Sequence, residues 1–177
     1  RKFSASLHVD TTSTLVDLTL DQLRSRLGAG VEIGGVTRDT LHFRRNDPAV
    51  HLRPGDVVQV EGSVHDLRLA SDRIRAPLTR PERLASLRQD TSDDQLIAEV
   101  VIGVESTLVG STPRSAQIAD RYGAVVIGLH RPDRLLFHET LDLEGERLEV
   151  GDVLLMRGVR ARLRDLQIAE GAMILEG

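Results

Sequence analysis

Ser13-Thr14-Leu15-Val16 returns unchanged as Ser106-Thr107-Leu108-Val109, a shift of 93 positions. A repeat of that length constrains the fold more than any single motif, because a repeated segment has to fold into a repeated unit. At the same shift Thr19 meets Thr112, Gly30 meets Gly123, Gly35 meets Gly128 and Arg38 meets Arg131. One inserted residue, most simply Pro132, brings Asp39 onto Asp133, Leu41 onto Leu135 and Phe43 onto Phe137. Two more bring Leu52 onto Leu148, Gly55-Asp56-Val57 onto Gly151-Asp152-Val153, Gly62 onto Gly158 and Leu67-Arg68 onto Leu163-Arg164. The 177 residues, an ordinary length for one domain, therefore read as two units of about 70 residues. The expected organisation is a first domain over 1–71, a linker over 72–95 and a second domain over 96–177. The linker carries Pro77, Pro81, five arginines (73, 75, 80, 83, 88) and the polar run Asp90-Thr91-Ser92-Asp93-Asp94, with no apolar period long enough to bury.

Each copy opens on a short apolar alternation, Leu7 and Val9 or Val100 and Ile102, which predicts a strand with one buried face. A helix follows. In copy one Thr19 stands three before Gln22 as a capping box, and Leu20, Leu23 and Leu27 fall on one face. In copy two Thr112 caps, Pro113 takes the first helical position, and Ala116, Ala119 and Tyr122 make the stripe. Gly30 and Gly123 are expected to end these helices. A strand then runs through 31–36 or 124–129, the second apolar at every position but Gly128 and so expected to be covered on both faces. A second strand ends at Phe43 or Phe137, and Gly55-Asp56 or Gly151-Asp152 turns into a third, 57–60 or 153–156. Leu67 and Leu69, or Leu163 and Leu166, start a short last helix. The fold class is α+β, two tandem β-α-β-β-β-α units. Units this small are expected to pair with each other or to dimerise.

Composition removes several function classes. With no Cys there is no disulfide framework, thiolate metal site or Cys nucleophile. A net charge of −4 and four aromatics argue against a nucleic-acid surface, which needs basic excess and stacking rings. No run reaches the ~18 apolar residues of a membrane helix. The start at Arg1 instead of Met suggests a piece of something longer. Lys2 is the sole lysine, so no P-loop is present, and Gly28-Ala-Gly30 with Gly34 has the wrong spacing for a dinucleotide fingerprint. The six histidines never stand at i, i+4. Ser13 and Ser106 read as strand-to-helix turns, and Asp56 and Asp152 as turn caps. Arg38 and Arg131 end the best-buried strand, where a fixed guanidinium suits an anionic effector or a partner's carboxylate. The alternative is a turn ion pair with Asp39 or Asp133.

Three stretches carry a family resemblance: Ser-Thr-Leu-Val-Gly-Ser-Thr at 106–112, Arg121-Tyr-Gly-Ala-Val-Val-Ile-Gly-Leu-His-Arg131, and Val150-Gly-Asp-Val-Leu-Leu-Met-Arg-Gly158. Copy one answers with Ser13 to Leu20, Val31 to Arg38 and Arg53 to Gly62. The chain resembles a tandem pair of TrkA-C (RCK C-terminal) domains, similar to the cytoplasmic insert of permeases of the divalent anion:sodium symporter type. The resemblance implies a non-enzymatic regulatory module at the cytoplasmic face of the inner membrane, coupled to transmembrane segments of the same polypeptide or of a transporter subunit. It implies a homodimer, no nucleic-acid partner and no resident cofactor or metal. The residues from Leu166 to Gly177 resemble the stretch leading back toward the membrane. Some family members bind cyclic di-AMP through a helix arginine and an asparagine at the start of the next strand. The matching positions are Arg26 and Glu32 in copy one, and Ala119 and Val125 in copy two, so copy one keeps half of that pair. The candidate ligand-binding set is Arg26, Arg38, His130 and Arg131, for a small anionic or nucleotide effector. A free-standing assembly subunit of a potassium-uptake system or channel, with no ligand of its own, is the other reading.

Overall fold

The computed structural model describes residues 1–74, 95–132 and 142–175. It divides into two compact units, the first represented by residues 1–74 and the second by 95–132 with 142–175. Both mix helices with antiparallel strands.

The first unit runs β1 (Phe3–His8), α1 (Leu20–Leu27), β2 (Val31–Arg38), β3 (Leu41–Arg44), β4 (Val57–Gly62) and α2 (Val64–Ile74). Its sheet order is β3-β2-β4-β1, all neighbours antiparallel. The capping box at the start of α1 forms as the spacing predicts: the Gln22 amide N–H donates to Thr19 Oγ1, and the Thr19 amide N–H donates to Gln22 Oε1. Leu20, Leu23 and Leu27 are buried against α2 and the sheet. The helix ends two residues earlier than expected. Gly28 takes the positive φ, 91°, and donates its amide to the Arg24 carbonyl. Gly30 instead answers to crowding, since a Cβ there would lie 2.4 Å from the Asp66 carboxyl carbon. Asp66 is held in place by Ser63, which caps α2. That helix begins at Val64, buries Leu67 and exposes Leu69, and extends to Ile74, three residues into the expected linker.

The second unit runs β5 (Gln95–Val101), α3 (Ile118–Tyr122), β6 (Val125–His130), β7 (Val153–Val159), α4 (Arg160–Glu170) and β8 (Met173–Leu175). Its order is β6-β7-β5-β8. The β6 strand is buried along its whole apolar run, as its composition led us to expect. The expected strand ending at Phe137 lies outside the described residues. Two expectations change. The segment after Thr112 forms a capped turn, in which the Ser115 amide donates to Thr112 Oγ1, but Gln117 adopts a left-handed conformation (φ 54°, ψ 39°) and breaks the helix. Only five residues then wind, and the buried side chains are Ile118 and Tyr122, not Ala116 and Ala119. The second change is β8, which pairs antiparallel with β5 within a stretch expected to be only a connection onward.

The strand pairings described in both units repeat in register. Leu7 opposes Val58 as Val100 opposes Leu154, and Ala5 opposes Val60 as Ala98 opposes Met156. The register of β2 slips between Ile33 and Gly35 on β4; that of β6 slips between Val126 and Gly128 on β7, the same two positions 93 residues on. Turn bonds recur as well. Gly55 N–H donates to the Val9 carbonyl (2.7 Å) and Gly151 N–H to the Ile102 carbonyl (2.8 Å). The Ser13 hydroxyl accepts from Leu15 N–H and the Ser106 hydroxyl from Leu108 N–H, which makes both serines turn residues.

Candidate functional site

Arg38 leaves the end of β2 and crosses to the Gly55-Asp56 turn that starts β4. Its Nε and Nη2 donate to the two Asp56 carboxylate oxygens, both at 2.8 Å, and Nη2 also donates to the His51 carbonyl at 2.9 Å. Asp56 Oδ2 further accepts the Arg53 amide at 2.9 Å. The second unit builds the same strut. Arg131 Nε and Nη2 donate to Asp152 at 2.8 and 2.9 Å, Nη2 donates to the Arg147 carbonyl, and Asp152 Oδ2 accepts the Glu149 amide at 2.8 Å. Here the guanidinium is more deeply set, and its Nη1 also meets Glu146 at 2.9 Å. The Arg131 side chain is 7 % exposed against 19 % for Arg38, and Asp152 and Asp56 are almost wholly buried. Buried bidentate pairs of this kind fix geometry because each partner satisfies the other's directional bonds. In both guanidiniums the carboxylate hydrogen bond is the largest influence and raises the pKa further.

The strut joins two sequence readings that stood apart. Arg38 and Arg131 ended a buried strand, and Asp56 and Asp152 capped a turn; each pair is one interaction. The bonded carboxylate is therefore not Asp39, and Asp133 lies outside the described residues. The remaining candidates are dispersed. Arg26 is exposed on α1 with Nη1 3.5 Å from the Thr14 carbonyl, while Arg38 serves the Asp56 turn. His130 is half-buried at the end of β6, its backbone paired with Val153.

A polar cluster in the second unit escaped the sequence reading. Glu170, at the end of α4, is buried and accepts from Tyr122 Oη at 2.7 Å, from Thr107 Oγ1, and from Arg121 Nη1 at 2.8 Å. Burial pushes its carboxyl pKa up, but the Thr107 and Tyr122 bonds and the Arg121 charge outweigh that and leave it below the ordinary carboxylate value. Burial and the Glu170 bond raise the Tyr122 hydroxyl. The repeat places Ile74, buried, at the position of Glu170, and Gly28 and Ala29 at those of Arg121 and Tyr122. The readable signal was that departure of one copy from the other.

Where those positions are small, the first unit has a cleft of about 640 Å3 between the C-terminal half of α1 and the start of β2. Ser25, Gly28 and Ala29 form one wall, Glu32 and Ile33 another, and Arg45 with Asn46 the rim. Arg24 spans it, with Nη1 2.6 Å from Asp21 and Nη2 donating to the Arg45 carbonyl at 2.9 Å. Glu32 is paired with Lys2 at 3.1 Å, a bond that raises the ammonium pKa. Among the described residues no cluster of His, Asp and Glu has the arrangement of a metal site, and no helix is long and apolar enough to cross a membrane.

Comparison with known proteins gives one family and two relatives. Residues 5–75 match the model described as the TrkA-C domain. The chain is 25 % identical over 181 aligned residues to the uncharacterized transporter sll0640 of Synechocystis, an alignment covering 99 % of this chain and 29 % of the transporter. It is 30 % identical over 157 residues to the uncharacterized transporter YfbS of Escherichia coli, covering 82 % of this chain and 24 % of that protein. The chain thus spans less than a third of the length of these relatives.

Proposed function

Residues 5–75 are a TrkA-C domain in a chain related to transporters, and from that premise we propose that the whole chain is a tandem TrkA-C regulatory module of a bacterial membrane transporter. It lies on the cytoplasmic face of the inner membrane and couples to transmembrane segments of the same polypeptide. The observation that carries this reading is the alignment of almost the entire chain inside a transporter more than three times its length. The residue-for-residue repetition of strand register, β-bulge and Arg–Asp strut in 95–175 supports a second domain of the same kind there. The struts support a fixed frame within each unit, since their guanidinium donors are committed inside the fold.

Regulation in such a module is a population shift. An effector that binds one arrangement of the module better than another favours that arrangement by its differential affinity and by no more. The effector is small and anionic or a nucleotide, and the working state is a homodimer. Two measurements test this. The reading frame extended at both ends must show apolar segments of about 20 residues; polar flanks overturn the proposal. In proteoliposomes, the full transporter lacking residues 1–177 must still insert but lose its response to cytosolic effectors. An unchanged response overturns the regulatory role.

A further inference from the structure

We propose that three exposed valines at one end of the second unit dock a basic cytoplasmic loop of the transporter, a segment that offers apolar side chains between lysines or arginines. The proposal names a partner for the regulatory module and rests on that reading for its biological meaning. Val104, Val150 and Val109 are 75 %, 50 % and 39 % exposed. They stand on three turns that backbone bonds stitch together. Gly151 N–H donates to the Ile102 carbonyl and Ile102 N–H to the Asp152 carbonyl; Gly110 N–H donates to the Leu148 carbonyl and Leu148 N–H to the Ser111 carbonyl, all at 2.8 to 2.9 Å. The turn carrying Val150 is fixed further, because Arg131 holds Asp152 and Asp152 accepts the Glu149 amide. Apolar residues exposed singly are ordinary, but three on adjoining turns mark a surface that another chain covers.

The repeat supplies the contrast. Val104-Glu105 stands where the first unit has Thr11-Thr12, and Glu149-Val150 where it has Arg53-Pro54. The first unit closes its turn on itself, with the Thr12 amide and hydroxyl both donating to Asp10 Oδ1 at 2.9 Å. The second has Gly103 in place of that aspartate. The same exchanges make this end acidic. Residues 142–151 carry four carboxylates against the single basic residue Arg147, and Glu105 adds another beside Val104. Asp142 pairs with Arg114, but Glu146 and Glu149 share the buried Arg131 with Asp152, three carboxylates to one guanidinium. That charge selects the occupant. An anionic lipid surface is repelled by it, and a second copy docked about a two-fold axis sets Glu105 and Glu149 against an equally acidic face. Short cytoplasmic loops of membrane proteins carry an excess of lysine and arginine, which complements the carboxylates while apolar side chains meet the valines.

The test places the photo-cross-linking residue benzoylphenylalanine at position 104 or 150 of the full transporter in native membranes, with positions 11 and 54 as controls, and maps the products by mass spectrometry. Cross-links from 104 and 150 into a loop bearing lysine or arginine are expected, in a yield exceeding that of the controls. Glu105→Lys is expected to lower that yield about threefold. Cross-links to a second copy of residues 95–175, to phospholipid alone or to nothing overturn the docking surface, as does a yield indifferent to Glu105→Lys. If the probe at 150 prevents folding, position 104 alone decides. Val104→Asp, measured in proteoliposomes, separates this proposal from the reading beneath it. Loop cross-links with an effector response unchanged in Val104→Asp would remove the regulatory reading and leave the surface; an effector response without loop cross-links would do the reverse.

Discussion

The two units share their strand pairings position by position, yet the end of the last helix is apolar in one and ionic in the other. Ile74 packs into the core of the first unit, while Glu170 gathers Thr107, Tyr122 and Arg121 in the second. The same backbone thus tolerates either solution, and the choice decides what happens beside α1 or α3. With Ile74 the residues at the matching positions, Gly28 and Ala29, are small; with Glu170 an arginine and a tyrosine stand there and bind the carboxylate. What both units keep is the Arg–Asp strut. This is where a loss is least tolerable, because removing one partner leaves the other buried and uncompensated.

That contrast can be broken by experiment. Arg131→Leu should cost about 3–5 kcal/mol in the second unit. Arg38→Leu should cost the first unit less, because its guanidinium reaches solvent more. Denaturant unfolding of the whole chain with hydrogen exchange resolved by residue measures both, and equal losses would mean that depth does not matter. Next, Ile74→Ala should cost the first unit about 2–5 kcal/mol by cavity formation, independent of pH. Its ionic counterpart, Glu170→Gln, should cost about 1–3 kcal/mol at neutral pH through a weakened hydrogen-bond network. The pH dependence distinguishes them. Because the folded Glu170 pKa is depressed, its contribution is present above the ordinary carboxylate value and is lost as pH falls through the folded value. Acid titration of the second unit's stability should show that loss in the native chain and not in Glu170→Gln. The smallest effect concerns the caps. Thr19→Ala should destabilise by about 1 kcal/mol, and Thr112→Ala by less, because the turn it caps runs into Gln117 and not into a long helix. Circular dichroism melts compare the two.

Much of this was legible in the sequence because the repeat set the register before any element was assigned. The α1 capping box, the Leu20-Leu23-Leu27 stripe and the strand at 125–129 follow from local spacing. The strut partners were not local. Arg38 and Asp56 are 18 residues apart and Arg131 and Asp152 are 21 apart, brought together where β2 pairs with β4 and β6 with β7. The available signal was that both the arginine and the Gly-Asp survive in both copies, a joint retention that neither shows alone. The break at Gln117 was hidden because Thr112 and Pro113 are good helix starters, and nothing nearby announces a left-handed residue. The short β8 gave no alternation long enough to read.

Matched register carries a consequence for folding. The chain synthesises two sets of strands whose hydrogen-bonding positions are interchangeable, so β1 and β5 can each seek the wrong partner while both units are incomplete. The side chains on their second face act as addresses. Ser4 and Ser6 belong opposite Glu61 and Gln59, whereas Ile97 and Glu99 belong opposite Arg157 and Leu155. An exchanged β5 would set Ile97 against Glu61 and Glu99 against Gln59, forfeiting the Ile97 packing and the charge arrangement beside Arg157. Divergence between the copies is what keeps each strand at home.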